Sequence, residues 1–320
     1  MRKAGVIMGL AVLAAAGAAL AQAGKVALPY WAFPVPTHAW PQPDPNQKVR
    51  VPGSKKVFTV AQVNDRFAPP DWRPKDHPPM PHIVAFGRKP HVFACGYCHL
   101  PNGHGRPENA SLAGQPAEYI VQQVREMREG RRRSSETRMG SINSMMAVAK
   151  ASNDAEVRIA AQYFSKLKMT KWIRVVETDT VPRTEISPHN MLVVVSHGGR
   201  EPIGRRIIEV PENLERTEDR DPNSGFVAYV PKGSIARGRK LVESGAGAFP
   251  CASCHGADLK GSDNVPGLAG RSPSSLVRQL YDFKAGTRGG PAADMMKPEV
   301  AHMTDDQRLD IAAYLASLNP

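Results

Sequence analysis

Cys95-Gly-Tyr-Cys-His99 and Cys251-Ala-Ser-Cys-His255 contain all four cysteines of the 320-residue chain. Each is a C-x-x-C-H pentapeptide, in which two thiols three positions apart precede a histidine on the same helical turn. A structural zinc site would require the two Cys pairs to converge across 156 residues, far beyond the usual ligand spacing. Two disulfides inside C-x-x-C would be strained, and they would leave the adjacent histidine of both copies without a role. The pattern fits covalent attachment of c-type haem: the thiols reach the two vinyl groups of one porphyrin edge, and the histidine lies under the iron.

Working outward from the motifs, the two flanking segments repeat in register. Cys98 to Leu112 and Cys254 to Leu268 are each 14 residues, and both run into Leu-Ala-Gly, ending at Gly114 and Gly270. Val121-Gln-Gln-Val124 and Val277-Arg-Gln-Leu280 follow at the same distance, then Gly130-Arg-Arg132 and Gly286-Thr-Arg288. These stretches predict amphipathic helices, the second opened by Ser272 as N-cap with Pro273 at the first helical position. After a loop five residues longer in the first copy, Asn153-Asp-Ala-Glu156 and Thr304-Asp-Asp-Gln307 read as capping boxes before closing helices.

This order of elements resembles the class I cytochromes c, and in particular tandem dihaem proteins of the cytochrome c4 type. The resemblance covers roughly residues 93–167 and 233–319. It implies a mainly α protein with two cytochrome c helical domains, each holding a haem between a histidine and a methionine thioether. Cys95, Cys98, Cys251 and Cys254 would bind two covalent haem c groups, with His99 and His255 as proximal iron ligands. Counting back 18 residues from Tyr163 and Tyr314 selects Met145 and Met296 as sixth ligands; Met146 and Met295 are the adjacent alternatives and Met139 a third. Family members orient the proximal histidine with a proline carbonyl. Pro266 stands at that place in the second copy, but Ala110 does in the first. Arg132 and Arg288 are expected either to meet haem propionates or to be solvated. His104 and His302, lone loop histidines, are expected at the surface.

The remaining sequence divides accordingly. Residues 1–23 read as a secretory signal, with Arg2 and Lys3, an apolar run and Ala21-Gln-Ala23; an uncleaved membrane anchor is the alternative. Residues 24–81 hold 13 of the 29 prolines and three of the four tryptophans, and form a Pro-rich extended arm expected to pack on a surface. Cytochrome c domain 1 spans 82–167, with a shortened or missing first helix. A β-rich connector, 168–232, is predicted as a small antiparallel sheet or a strand-rich wrap from Trp172-Ile-Arg-Val-Val-Glu177, Met191-Leu-Val-Val-Val195, Arg206-Ile-Ile-Glu-Val210 and Phe226-Val-Ala-Tyr-Val230. Domain 2 spans 233–320. The connector is longer than in c4 proteins, which leaves open whether the two haems face each other.

A formal charge of +12, or +10 without Arg2 and Lys3, suits a periplasmic protein steered to redox partners with acidic docking surfaces. A membrane-associated dehydrogenase or oxidase is a further partner class. Nucleic acid is excluded by compartment. The chain lacks an acid-base or nucleophilic constellation, so single-electron transfer as a carrier or cytochrome subunit is expected; the alternative is a peroxidase-like dihaem enzyme with one open haem.

Overall fold

The computed structural model describes residues 27–320. The signal-like segment and the first residues of the arm lie outside this range. Two helical units dominate. The first comprises helices His82–Ala85, Cys95–His99, Ala117–Arg128, Gly140–Ala151 and Asp154–Ser165. The second comprises Ser234–Ser244, Ala252–His255, Pro273–Lys284, Pro291–Asp294, Lys297–Val300 and Asp305–Ser317.

Local sequence chemistry sets several boundaries. Asn153 and Thr304 each form a complete capping box with Glu156 and Gln307, satisfying two backbone donors reciprocally. Ser272 accepts from the Ser275 amide, with Pro273 just inside the helix. The Leu-Ala-Gly glycines are equivalent in conformation as well as sequence. Gly114 (φ 67°) and Gly270 (φ 69°) both turn left-handed and donate to the closing helix, at Phe164 and Leu315 respectively.

The units differ in their first helix. In the second, Ser234–Ser244 crosses Asp305–Ser317 so closely that a Cβ on Gly238 would overlap the Asp310 carbonyl oxygen. The first unit substitutes the four-residue helix His82–Ala85, and Gly87, eight residues before Cys95 where Gly238 stands thirteen before Cys251, is a left-handed turn residue. Its closing helix is therefore incompletely covered, and Ile159 and Phe86 are exposed beside a cavity of about 700 Å³.

Between the units, strand Phe226–Pro231 pairs parallel with Ile173–Thr178 and antiparallel with Ile208–Pro211. The antiparallel expectation is corrected by the first pair. The chain leaving Thr178 folds into the short ladders Thr180–Pro182 with Arg200–Pro202 and Thr184–Ile186 with Leu192–Val194. It then passes through helix Leu214–Glu218 before re-entering beside its start, a crossover long enough for parallel pairing. The central strand, Phe-Val-Ala-Tyr-Val-Pro, is nearly all apolar, as burial on both faces requires.

These strands share their neighbours' cores. Trp172, Ile173, Phe226 and Ala228 pack with the first unit, whereas Val181, Ile207, Ile208 and Val230 pack with Tyr281, Leu309 and Ala312 of the second. Buried Glu209 reaches the N-terminus of Pro273–Lys284, accepting from the Ser272 and Ser274 hydroxyls at 2.8 and 2.5 Å, where the helix dipole favours a carboxylate. The arm is tied down similarly. Trp31 and Phe33 join the second-unit core, and Trp72 Nε1 donates to the Asp219 carbonyl at 2.7 Å.

Candidate functional site: two haem-attachment centres

The attachment helices present their histidines identically. His99 Nδ1 lies 2.8 Å from the Ala110 carbonyl, and His255 Nδ1 lies 2.8 Å from the Pro266 carbonyl, each 11 residues downstream. The second shell of the first centre is thus intact, because a backbone carbonyl serves whether alanine or proline carries it. Burial pushes both imidazoles down, with the carbonyl acting the other way, so both rings are neutral at physiological pH. Nδ1 carries the proton toward the carbonyl, leaving the Nε2 lone pair available to a metal.

The four cysteines form no disulfide with one another, and burial raises Cys95 to about 12 and Cys251 to about 11. No three His, Cys, Asp or Glu side chains converge as a metal site among the described residues.

The methionines separate by packing. Met145 lies against the first-unit core with Cys95 and Leu112, and Met296 against the third cluster with Cys251 and Leu268. Met295 is 67% exposed, and Met146 is half-buried. Met139, 2% exposed, is committed to the core shared by the connector and the second unit. Met303, a residue not singled out by register, is buried in the third cluster.

The histidines outside the motifs diverge. His302 is exposed, but the surface expectation fails for His104, which is buried. Its ring stacks on Trp172, with Nε2 3.0 Å from Thr170 Oγ1 and Nδ1 3.1 Å from Asn102 Nδ2. Burial, with Arg271 nearby, lowers it to about 4, so the folded state holds it neutral. The stability this confers is complete above pH 6.5 and is lost as pH falls from 6.5 toward 4. Wild type is expected to lose about 2–3 kcal/mol more than His104→Gln between pH 7.5 and 4, measured by denaturant titration.

The two units meet through residues at equivalent sequence positions. Gln115 brackets the Gly267 backbone, donating to its carbonyl at 3.0 Å and accepting from its amide at 2.9 Å. Its counterpart Arg271 donates to the carbonyls of Ser111 and Ala113 at 3.0 and 2.9 Å. The Gly-x-Arg turns form an antiparallel bridge at Arg132 and Arg288, extended by Arg133 N to Thr287 O and Gly289 N to Arg131 O. Each arginine then donates to both equivalent glutamines: Arg132 to Gln123 and Gln279, Arg288 to Gln279 and Gln123.

The long connector therefore wraps outside this contact. Sequence reading missed Gln115, Gln123, Arg271 and Gln279 as interface residues. The recurrence of glutamine nine residues after each Leu-Ala-Gly glycine was the available signal.

The junction is cationic. Arg132 and Arg271 are lowered to about 10 chiefly by burial, and Arg132 additionally by Arg288. Arg271 Nε and Arg288 Nε are buried without a partner, and neither side chain has a carboxylate in ion-pair range among the described residues. Such unfilled donors fit an anionic ligand substituent, as haem carboxylates are.

Twin C-x-x-C-H helices with carbonyl-oriented histidines, joined across this junction, define a protein built around covalently attached haem c. Residues 235–319 match the family model for cytochrome c. The chain is 26% identical over 272 residues to the thiosulfate dehydrogenase electron acceptor of Thiomonas intermedia, covering 82% of this chain and 91% of that protein. It is 31% identical over 94 residues to cytochrome c-554(547) of Halothiobacillus neapolitanus, covering 27% of this chain and 98% of that one. Reduced cytochrome c4 from Pseudomonas stutzeri aligns structurally with a TM-score of 0.46 at 20% identity, over 70% of this chain and 93% of that one. The chain belongs to the cytochrome c family, and within it is cytochrome c4-like.

Proposed function

We propose that this cytochrome is a periplasmic two-haem relay that accepts single electrons from a dehydrogenase and passes them to a second redox partner. Cys95 and Cys98 hold one haem, Cys251 and Cys254 the other; His99 with Met145 and His255 with Met296 are the axial pairs. Bound haem supplies the one-electron Fe(III)/Fe(II) couple, which thioether ligation favours toward the ferrous form. The chain does the rest. It holds each imidazole by a backbone carbonyl, excludes water with apolar cores, and neutralises haem carboxylates with Arg132, Arg271 and Arg288.

The observation carrying this reading is the junction, where equivalent residues of the two units exchange hydrogen bonds and so hold the centres as one rigid pair. A dehydrogenase donor is supported by the Thiomonas relative, named for accepting electrons from thiosulfate dehydrogenase. A basic surface favours an acidic partner face. No described helix is long and apolar enough to cross a membrane.

Intact mass of the exported holoprotein is expected to equal two haems plus the chain, less residues 1–23 where the signal is removed. In stopped-flow mixing with a reduced thiosulfate dehydrogenase, both haems should reduce, more slowly as salt rises. A single haem, or an iron that reacts with peroxide, would overturn the reading.

A further inference from the structure

The connector delivers one side chain to the first attachment helix that has no counterpart at the second. Arg220 is 3% exposed. Its guanidinium lies 3.6 Å from the centroid of the Tyr97 ring, inside the Cys-Gly-Tyr-Cys-His motif. Nη1 donates to the Tyr97 carbonyl at 2.8 Å and Nε to the Val63 carbonyl at 3.0 Å. Both hydrogen-bond partners are neutral, and no carboxylate lies within ion-pair distance of Arg220 among the described residues.

The surrounding charges are engaged elsewhere. Glu108 pairs with Arg106 at 2.8 Å, Glu218 with His189 at 3.1 Å, and Asp221 with Arg73 and Arg216 at 3.1 and 2.7 Å. Arg66 lies over the Phe93 ring. Asp219, raised to about 6 mainly by burial, forms no ion pair with Arg220. Arg220 itself, lowered to about 10 by burial, stays protonated at neutral pH.

An uncompensated buried cation is costly, and this one sits on strained backbone. Arg220 follows the end of Leu214–Glu218 with φ 57°, a left-handed conformation that glycine would adopt freely. Neither cost is explained by packing alone, since an apolar side chain would fill the space over Tyr97. Position 253 in the second motif is an exposed serine, and Cys254 beside it is exposed too.

We propose that Arg220 is a tuning residue, which holds the haem of the first unit at a higher reduction potential than that of the second. The inference rests on the two-haem reading above. Ferrous haem carries one positive charge fewer than ferric, so a fixed cation beside the attachment helix favours the reduced form at that centre. Covering the helix with the connector acts in the same direction, because a drier site penalises the charged ferric state. One electron enters, Fe(III) becomes Fe(II), and the donor supplies it; no proton or further reactant is needed. The first unit is then the thermodynamic sink of the pair.

The test is a spectroelectrochemical titration of the two-haem holoprotein as wild type, Arg220→Gln and Arg220→Lys. Arg220→Met serves as a second neutral variant that keeps the apolar cover. The wave belonging to the first unit is assigned beforehand as the one that Met296→Ala leaves in place. The neutral variants should lower that wave alone, changing the reduced-to-oxidised ratio at a fixed applied potential about tenfold, the size expected for one charge at an effective dielectric near 20. The lysine variant should restore most of it.

Equal displacement of both waves would mean a general loosening and would overturn the proposal. So would an unmoved first wave in a protein still holding two haems, or a lysine variant that behaves like glutamine. A holoprotein with one haem overturns the two-haem reading instead, and this proposal with it.

Discussion

Replacing Met296 with alanine is expected to remove about half of the ferric methionine-to-iron charge-transfer intensity and to lower the potential of one haem by on the order of 100 mV or more. The same change at Met295 is expected to leave both properties in place. The contrast follows from packing: Met296 lies with Cys251 and Leu268 against the core, while Met295 points outward with 67% of its surface exposed. A soft, neutral thioether favours ferrous iron, and a water molecule taking its place favours ferric. Exposed Met295 contributes little to stability, within about 0.5 kcal/mol. Near-infrared spectra of the oxidised variants decide the matter. Loss of the band in Met295→Ala with retention in Met296→Ala would exchange the roles of the two residues. At the first centre, Met145 packs against the same core as Cys95 and is the corresponding target.

Gly238→Ala is expected to destabilise the second unit by ~3 kcal/mol or more. In an exposed helix interior the change would help, since alanine is favoured over glycine by about 1 kcal/mol. Here the added methyl overlaps the Asp310 carbonyl, part of a rigid helix, and the Tyr314 Cβ lies beside it. The clash outweighs propensity because neither atom is the end of a flexible chain. The two helices are also clamped at this level by Arg237, whose guanidinium grips Asp310 at 2.7 and 3.0 Å. Thermal unfolding and the yield of chain carrying its second haem both report the effect. A melting temperature equal to or above wild type would show that the crossing relaxes. The change Gly87→Ala combines a left-handed turn with an overlap of the Val92 carbonyl, but within the first unit, and should leave the second haem in place.

What the sequence disclosed depended on how far each interaction reaches. Asn153 and Thr304 close their capping boxes within three residues, and Ser272 with Pro273 opens a helix from adjacent positions. Counting along the chain was enough for these. It was also enough for the in-phase repeat, since register is a property of one strand of text.

The parallel pairing of Ile173–Thr178 with Phe226–Pro231 was hidden, because strand direction depends on the path of the intervening chain rather than on alternation. His104 was misplaced for a similar reason: its buried state depends on Trp172, far along the chain and across the core. At Ala110 the difficulty was chemical. The residue type suggested a lost second shell, yet the acceptor is the main chain, which every residue carries. Arg220 and Tyr97 are 123 residues apart, and nothing local in either segment announces the contact.

The connector has no core of its own, and its strands are divided between two neighbours. Removing it would strip apolar cover from both flanking bodies at once, so neither half can be excised as a free-standing module in the way that beads on a string can. The two halves are therefore expected to unfold together, in a single transition.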